Sequence, residues 1–176
     1  MCEYCKIVAE KNLVLYEDDA VVAALSPKPA GLGHIIVIPR EHHAILEHVP
    51  DEVVSRLFGV ANQMSLLLFT KLGAKGTNLI IENGIAAGQS IAHVSLNVMA
   101  RLDDDGLDFQ WQPKEVPEGE MSSIEQRILE GLRRAVSSHA HGGQQGPEVP
   151  SNQESGGETI IHDEENYLTR QLERRP

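Results

Sequence analysis

The sequence predicts an α+β domain: a mainly antiparallel sheet, one long and one shorter amphipathic helix, and a flexible C-terminal tail. Three observations carry this. Short runs rich in β-branched residues, bounded by turn formers, stand before Arg40 and again between Thr77 and Arg101. Between them the apolar spacing changes from two to three and four. After Ser137 the chain turns to Gly, Ser, Gln and Pro, with almost nothing to bury.

Taken in order, "LVLYEDDAVVAAL" and "GHIIVIPR" read as three strands over 13–17, 20–25 and 34–39, the last two joined by the Pro/Gly loop "SPKPAGLG". From Asp51 to Leu72, Val53, Leu57, Val60, Met64, Leu67 and Leu68 recur at helical spacing. Pro50, Asp51 and Glu52 suit the first turn of that helix, and Lys71 and Gly73 its end. "TNLIIEN" is a fourth strand. "GQSIAHVSLNVMAR" is a fifth, because apolar and polar residues alternate from Ile91 to Val98. A second helix over 123–137 carries Ile124, Ile128, Leu132 and Ala135 on one side, with Ser122 and Glu125 at capping-box spacing. The expected organisation is a domain over 1–137, a flexible linker over 138–158 and a short amphipathic motif over 159–176. In that motif Tyr167, Leu168 and Leu172 share one face. A helix so short is marginal alone in water, so it needs a surface to dock on.

Composition narrows the function. A chain of 176 residues that is 41 % hydrophobic fills one core plus a tail. A formal net charge of -11, from 26 acidic and 15 basic residues, repels a nucleic-acid backbone, and 4 % aromatics provide no stacking platform. No sequence-specific nucleic-acid partner is expected. No apolar run reaches membrane-spanning length and "MCEYCKIVAEK" has no signal-peptide core, so the expectation is a cytoplasmic protein without a membrane role.

Three places could carry chemistry. Cys2 and Cys5, the only cysteines, form a C-x2-C pair ahead of any predicted strand. Tetrahedral zinc would need two further ligands, for which His34, His42, His43, His48 and His93 are candidates; the alternative is two ordinary cysteines. "ENGIAAGQS" could bring backbone amides to phosphate oxygens, or could simply connect two strands. On the fifth strand, period two sets His93, Ser95 and Asn97 side by side, although His93 alone would read as a hydrogen-bonded strand histidine. His139 and His141 read as solvated, Trp111 as a core or dimer contact, and Asp103, Asp104 and Asp105 as a solvated turn.

These segments together resemble the histidine-triad (HIT) superfamily of nucleotide hydrolases and transferases. "CEYCKIV", "YEDDAVVAALSPKPAGLGHIIVIPREH", the long helix and "TNLIIENGIAAGQSIAHVSLNVMAR" follow in that family's order, from Cys2 to about Arg101. The resemblance implies a homodimer and an H-x-H-x-H strand whose middle histidine attacks the α-phosphate. Here that position is Ser95 and the last is Asn97. It also implies a structural zinc held by Cys2, Cys5, His93 and His42, with His43 as the other choice for the fourth ligand. Ser26, in "LSPKP", stands where members carry an aspartate for the ribose hydroxyls, while Asn83, Gln89 and Ser90 match positions that support the site or contact phosphate.

The zinc set is thus complete and the reactive set is not. A seryl hydroxyl needs an adjacent base, and Asn97 cannot accept a proton at neutral pH. Loss of a covalent nucleophile costs roughly 10⁴–10⁶ in turnover. The expectation is a zinc-stabilised, nucleotide- or phosphate-binding protein with a disabled catalytic strand, whose tail over 159–176 is a protein-interaction segment. The alternative is an active hydrolase of dinucleoside polyphosphates or nucleoside phosphoramidates. It would use direct attack by water, with a base such as His34, His43 or His48.

Overall fold

A computed structural model describes residues 2–139, with side chains described to 134, and the backbone divides into two compact units between Asp108 and Phe109. The expected linker beyond His139 and the expected tail motif 159–176 lie outside the described residues.

The first unit is built on five strands: β1 (Val14–Glu17), β2 (Val21–Leu25), β3 (Ile35–Pro39), β4 (Gly76–Ile81) and β5 (Leu96–Arg101). Their order is β1-β2-β3-β5-β4, and every neighbouring pair is antiparallel, as the sequence predicts. β2 and β3 are buried almost throughout because both sheet faces are covered. Val21, Ala23, Ile35 and Val37 join the core formed with the long helix α2 (Asp51–Leu72). Val22, Ala24, Ile36 and Ile38 instead pack with Tyr4 and Ile7 of α1 (Glu3–Glu10). That two-sided burial is why these strands read as unbroken apolar runs rather than alternating ones.

Helix α2 matches its expected limits. Pro50 caps it with an extended ψ of 143°, and the Val53 and Val54 N–H groups donate to the Pro50 carbonyl. At the far end Gly73 takes a left-handed φ of 67°, while its N–H and that of Ala74 close on the Leu68 carbonyl. Leu57, Val60, Ala61, Met64 and Leu68 are buried, but Leu67 is exposed and does not belong to the core face. By length and composition α2 could cross a membrane, yet those five residues lie in the sheet core.

Three features differ from the sequence expectation. α1 was not anticipated, because it is only eight residues long; Tyr4, Ile7 and Val8 are its inward-facing signal. β5 begins at Leu96, not at Ile91. Both flanking ladders end there, with Val37 and Ile81 as the last partners of Leu96. Just beyond, Pro39 has no N–H to offer and its carbonyl is taken by the His93 ring. The chain over 91–95 instead turns, with His93 N–H donating to Ile91 O and Val94 N–H to His43 O. The third difference is in the second unit, where α3 (Glu118–His139) starts five residues ahead of the predicted helix and, at 22 residues, is as long as α2 rather than shorter. Ser122 therefore lies inside it, and Pro117 supplies the carbonyl that receives the Glu120 and Met121 N–H groups. Trp111, also in this unit, is exposed and is not a core residue.

Candidate functional site

Cys2 is the extended N-cap residue of α1 and Cys5 lies in that helix's first turn. The His42 loop and the turn before β5 bring two imidazoles to them. The ligand atoms of Cys2, Cys5, His42 and His93 all lie within 4.8 Å of one another. His93 Nδ1 is 3.7 Å from Cys2 Sγ and 3.6 Å from Cys5 Sγ, and His42 Nδ1 is 3.4 Å from Cys5 Sγ. Tetrahedral zinc with ordinary Zn–S and Zn–N bonds sets its S···N separations at about 3.5 Å. The donor set therefore fits zinc in both chemistry and spacing. His43 does not join it: its Nε2 lies 3.9 Å from Glu41, and its carbonyl receives the Val94 N–H.

The ring orientation of His93 follows from its second nitrogen. Nε2 lies 3.0 Å from the Pro39 carbonyl, so it carries the proton and donates, leaving Nδ1 as a lone pair facing the sulfurs. Burial pushes the His93 pKa below its ordinary value, which favours the neutral imidazole that a metal requires. Burial, with the neighbouring Cys2 sulfur, raises the Cys5 thiol.

Although β5 starts late, the alternation of sides survives. Val94, Leu96 and Val98 enter the α2-side core, and His93 faces Tyr4, with ring centroids 5.9 Å apart. Ser95 meets the Tyr4 hydroxyl. Burial raises the Tyr4 pKa, and its hydrogen bond with Ser95 works in the opposite direction. Asn97 is held at both ends. Ala30 N–H donates to His34 Nδ1 at 3.0 Å, so His34 Nε2 carries the proton and donates to Asn97 Oδ1, also at 3.0 Å. Asn97 Nδ2 donates to the Ile80 carbonyl at 3.2 Å. No proton acceptor faces outward from such an Asn97.

The other expected site residues are engaged mostly with the backbone. Gln89 accepts from Gly84 N–H and donates to the Ala44 and Ile91 carbonyls, tying the 84–91 turn to the His42 loop. Asn83 accepts from Leu46 N–H and donates to Glu47. Ser26 is buried and accepts from Lys28 N–H at 3.3 Å, while its own N–H donates to His34 O. Ser90 is exposed in the same turn as Gln89. Sequence reasoning did not place Tyr4 or His34 at this face. For Tyr4 the available signal was its place inside the C-x2-C pair. For His34 it was an otherwise apolar buried run beginning with a ring.

Two ion-paired turns lie outside this face. Asp18 accepts from the Ala20 and Val21 N–H groups, the Tyr16 hydroxyl and Arg56. Asp105, expected in a solvated turn, is clasped by Arg101 and by the Leu102 and Leu107 N–H groups, and Asp103 pairs with Lys75.

Comparison with known proteins bears on both the fold and the site. A HIT domain family model matches residues 9–104. An uncharacterized HIT-like protein of Methanocaldococcus jannaschii is 36 % identical over 109 residues, covering 60 % of this chain and 83 % of that protein. An adenylylsulfatase of Arabidopsis thaliana is 34 % identical over 108 residues; the match spans 60 % of this chain and about half, 55 %, of that enzyme. Among solved structures, a Zn-bound histidine triad family protein from Mycobacterium smegmatis matches with a TM-score of 0.57 at 30 % identity, covering 76 % of this chain and 96 % of that one. A HIT family member from Bacillus subtilis matches with a TM-score of 0.67 at 26 % identity, over 73 % and 95 %.

Proposed function

The chain belongs to the HIT domain family, and on that premise we propose that it binds a nucleotide or other phosphate-bearing ligand without the family's covalent chemistry. Cys2, Cys5, His42 and His93 would hold a structural zinc. When bound, that ion supplies a cross-link between α1, the His42 loop and the approach to β5, and it withdraws His93 from any reaction. The observation that carries the reading is the pair Ser95 and Asn97. One is a hydroxyl beside the Tyr4 hydroxyl; the other is an amide fixed between His34 and Ile80 O. Neither can accept a proton from a nucleophile at neutral pH.

Around that centre, Ser26, Asn83, Gln89 and Ser90 shape the ligand site. Asn83 and Gln89 act by holding loop backbone, which leaves Ser90 and the turn amides for a phosphate. The protein works in the cytoplasm as a homodimer. Phe58 and Leu66, exposed on α2, belong to the apolar surface a second copy would cover. The segment 159–176 is an interaction segment.

The test is AMP release from adenosine phosphoramidate and from dinucleoside polyphosphates by zinc-loaded protein, with Ser95→Ala alongside. Nucleotide binding without AMP release is the expected result. Release that disappears in Ser95→Ala would overturn the reading.

The alternative of an active hydrolase needs a base, and His34, one hydrogen bond from Asn97, could serve as one only after releasing the Ala30 N–H from its Nδ1. AMP release that persists in Ser95→Ala and disappears in His34→Gln would establish it.

A further inference from the structure

Glu82 stands just past the end of the ladder between β4 and β5, whose last pair is Ile81 with Leu96. One step further in the same register Glu82 is opposite Ser95, and residues opposite each other in an antiparallel pair share a face. That face is the Tyr4 side, because Ile81 packs against the α2-side core and side chains alternate along a strand. Two other observations locate the carboxylate. Burial raises the Tyr4 pKa, and the charges of Glu3 and Glu82 add to that effect. The Glu82 side chain also lies along Gly88, where a Cβ would meet its Cγ at 3.9 Å, its Cδ at 3.7 Å and its Oε1 at 3.5 Å. A negative charge thus sits between Ser95 and the 84–91 turn.

The neighbouring donors and cations are engaged elsewhere. Lys28, the cation that acts on Tyr4, pairs with Glu3 at 3.0 Å. Asn83, next in the chain, gives its Nδ2 to a second carboxylate, Glu47. Among the described residues no ion pair includes Glu82. The turn amides and Ser90 offer dipoles without net charge, and the chain as a whole carries -11. Repulsion at such a spot grows in proportion to the charge that a ligand brings.

We propose that Glu82 sets the charge of the ligand: it excludes a phosphate dianion from the space beside Ser95 and admits a phosphodiester monoanion. This rests on the reading of the site as one for a phosphate-bearing ligand, and names the class of phosphate it takes. A monoester such as a free mononucleotide brings about two charges at neutral pH and above, since its second proton leaves near pH 6. A diester brings one. Glu82 therefore acts as a specificity residue, favouring a nucleotide whose phosphate carries a second ester arm over the free mononucleotide.

The test is calorimetric titration of the zinc-loaded full chain, at about pH 8, with AMP and with the methyl ester of its phosphate. The parent is expected to bind the ester at least about fivefold more tightly. Glu82→Gln should reduce the ratio of the two dissociation constants at least about fivefold, chiefly by tightening AMP. Glu82→Ala should do the same, whereas a residue that merely packed would weaken both ligands together when removed. Glu82→Lys should reverse the preference. Salt at about 0.5 M should shrink the ratio in the parent and leave it unchanged in Glu82→Gln. Equal binding of the two ligands by the parent, or a ratio that neither Glu82→Gln nor Glu82→Ala moves, would overturn the role of Glu82 and leave the phosphate-ligand reading standing. Failure of the parent and both variants to bind either ligand, with melting temperatures alike, would overturn that reading and this proposal with it.

Discussion

His34 Nε2 donates to Asn97 Oδ1 across 3.0 Å, and the other end of the same amide donates to the Ile80 carbonyl. Asn97 thus joins a buried ring, at the start of the segment leading into β3, to the backbone of β4. It acts here as a structural link across three strands. Replacing it with Leu leaves the His34 N–H and the Ile80 carbonyl without that partner. The cost expected for stranding such groups is about 1–3 kcal/mol. Urea denaturation of Asn97→Leu beside the parent chain measures it, and an unchanged midpoint would show that the link carries no stability.

Asp18 predicts a pH dependence. Burial alone would raise its carboxyl, but the Val21 N–H, Arg56, the Ala20 N–H and the Tyr16 hydroxyl outweigh that and hold it well below the usual carboxylate range. A folded-state pKa below the unfolded value of about 3.9 contributes stability that is present above that value and is lost as pH falls through the folded pKa. Stability should therefore decline below about pH 4, and part of that slope should vanish in Asp18→Asn. At neutral pH, Asp18→Ala should cost about 1–2 kcal/mol, the loss typical of a side chain capping exposed backbone N–H groups. Thermal melts at pH 3 to 7 check both statements, taking about 1 °C as the smallest shift that counts.

How much of this was legible in the sequence follows from what makes each element. α2 was readable to its limits because a long periodic run, a proline entry and a glycine exit act locally and agree. The five strands were readable for the same reason. The start of β5 was not, because side-chain alternation continues through 91–95 although the hydrogen-bond ladder has ended, and alternation is all that a sequence displays. The four metal-ligand positions follow from family resemblance, since nothing local ties Cys2 to a histidine 91 positions away. Tyr4 beside Ser95 and His34 beside Asn97 are products of the packing of α1 and the β2–β3 loop. Spacing within one segment cannot reveal a contact between two.

Gly33 tests the packing between that loop and α2. Its φ is 78°, and a Cβ there would stand 2.9 Å from Leu72 Cδ1 and 3.1 Å from Leu68 Cδ2. Gly33→Ala thus meets both a left-handed backbone and a crowded helix end, each of which costs on the order of 1 kcal/mol or more. A loss of about 2 kcal/mol or more is expected in the denaturation midpoint. Gly31→Ala, where the nearest atom is Leu107 Cδ1 at 3.9 Å, should be nearly neutral and serves as the control.

The zinc set makes a prediction that activity does not enter. Chain purified with zinc is expected to carry about one ion by elemental mass spectrometry, and Cys5→Ser or His93→Ala should reduce that to a small fraction. Acidification should release the ion as the thiolates regain protons, with a chelator at neutral pH giving the same product. Because the ligands join α1 to the approach to β5, loss of the ion should lower the melting temperature and loosen α1 first. That appears as faster amide exchange over 3–10 while α2 remains protected. Retained zinc in Cys5→Ser, or an unchanged melt after chelation, would remove zinc from the account.

Ser95 provides the decisive comparison, because the side chain can be returned to the family's reactive residue. In the parent chain the hydroxyl at 95 lies beside Tyr4, whose hydroxyl is no base at neutral pH. Ser95→His alone should raise AMP release only modestly, since Asn97 is still fixed to His34 and the Tyr4 hydroxyl still meets position 95. Adding Tyr4→Phe removes that hydroxyl while keeping the ring that packs on His93. The double variant should exceed Ser95→His by about tenfold, a fraction of the 10⁴–10⁶ associated with a covalent nucleophile. A burst of the leaving group, ammonia from adenosine phosphoramidate, running ahead of AMP in rapid-quench kinetics would show the nucleotidyl-histidine forming before water resolves it. Failure of both variants while nucleotide still binds would place the lesion beyond Ser95, in the loops that Asn83 and Gln89 hold. Equal activity in the two would remove Tyr4 from the site's chemistry.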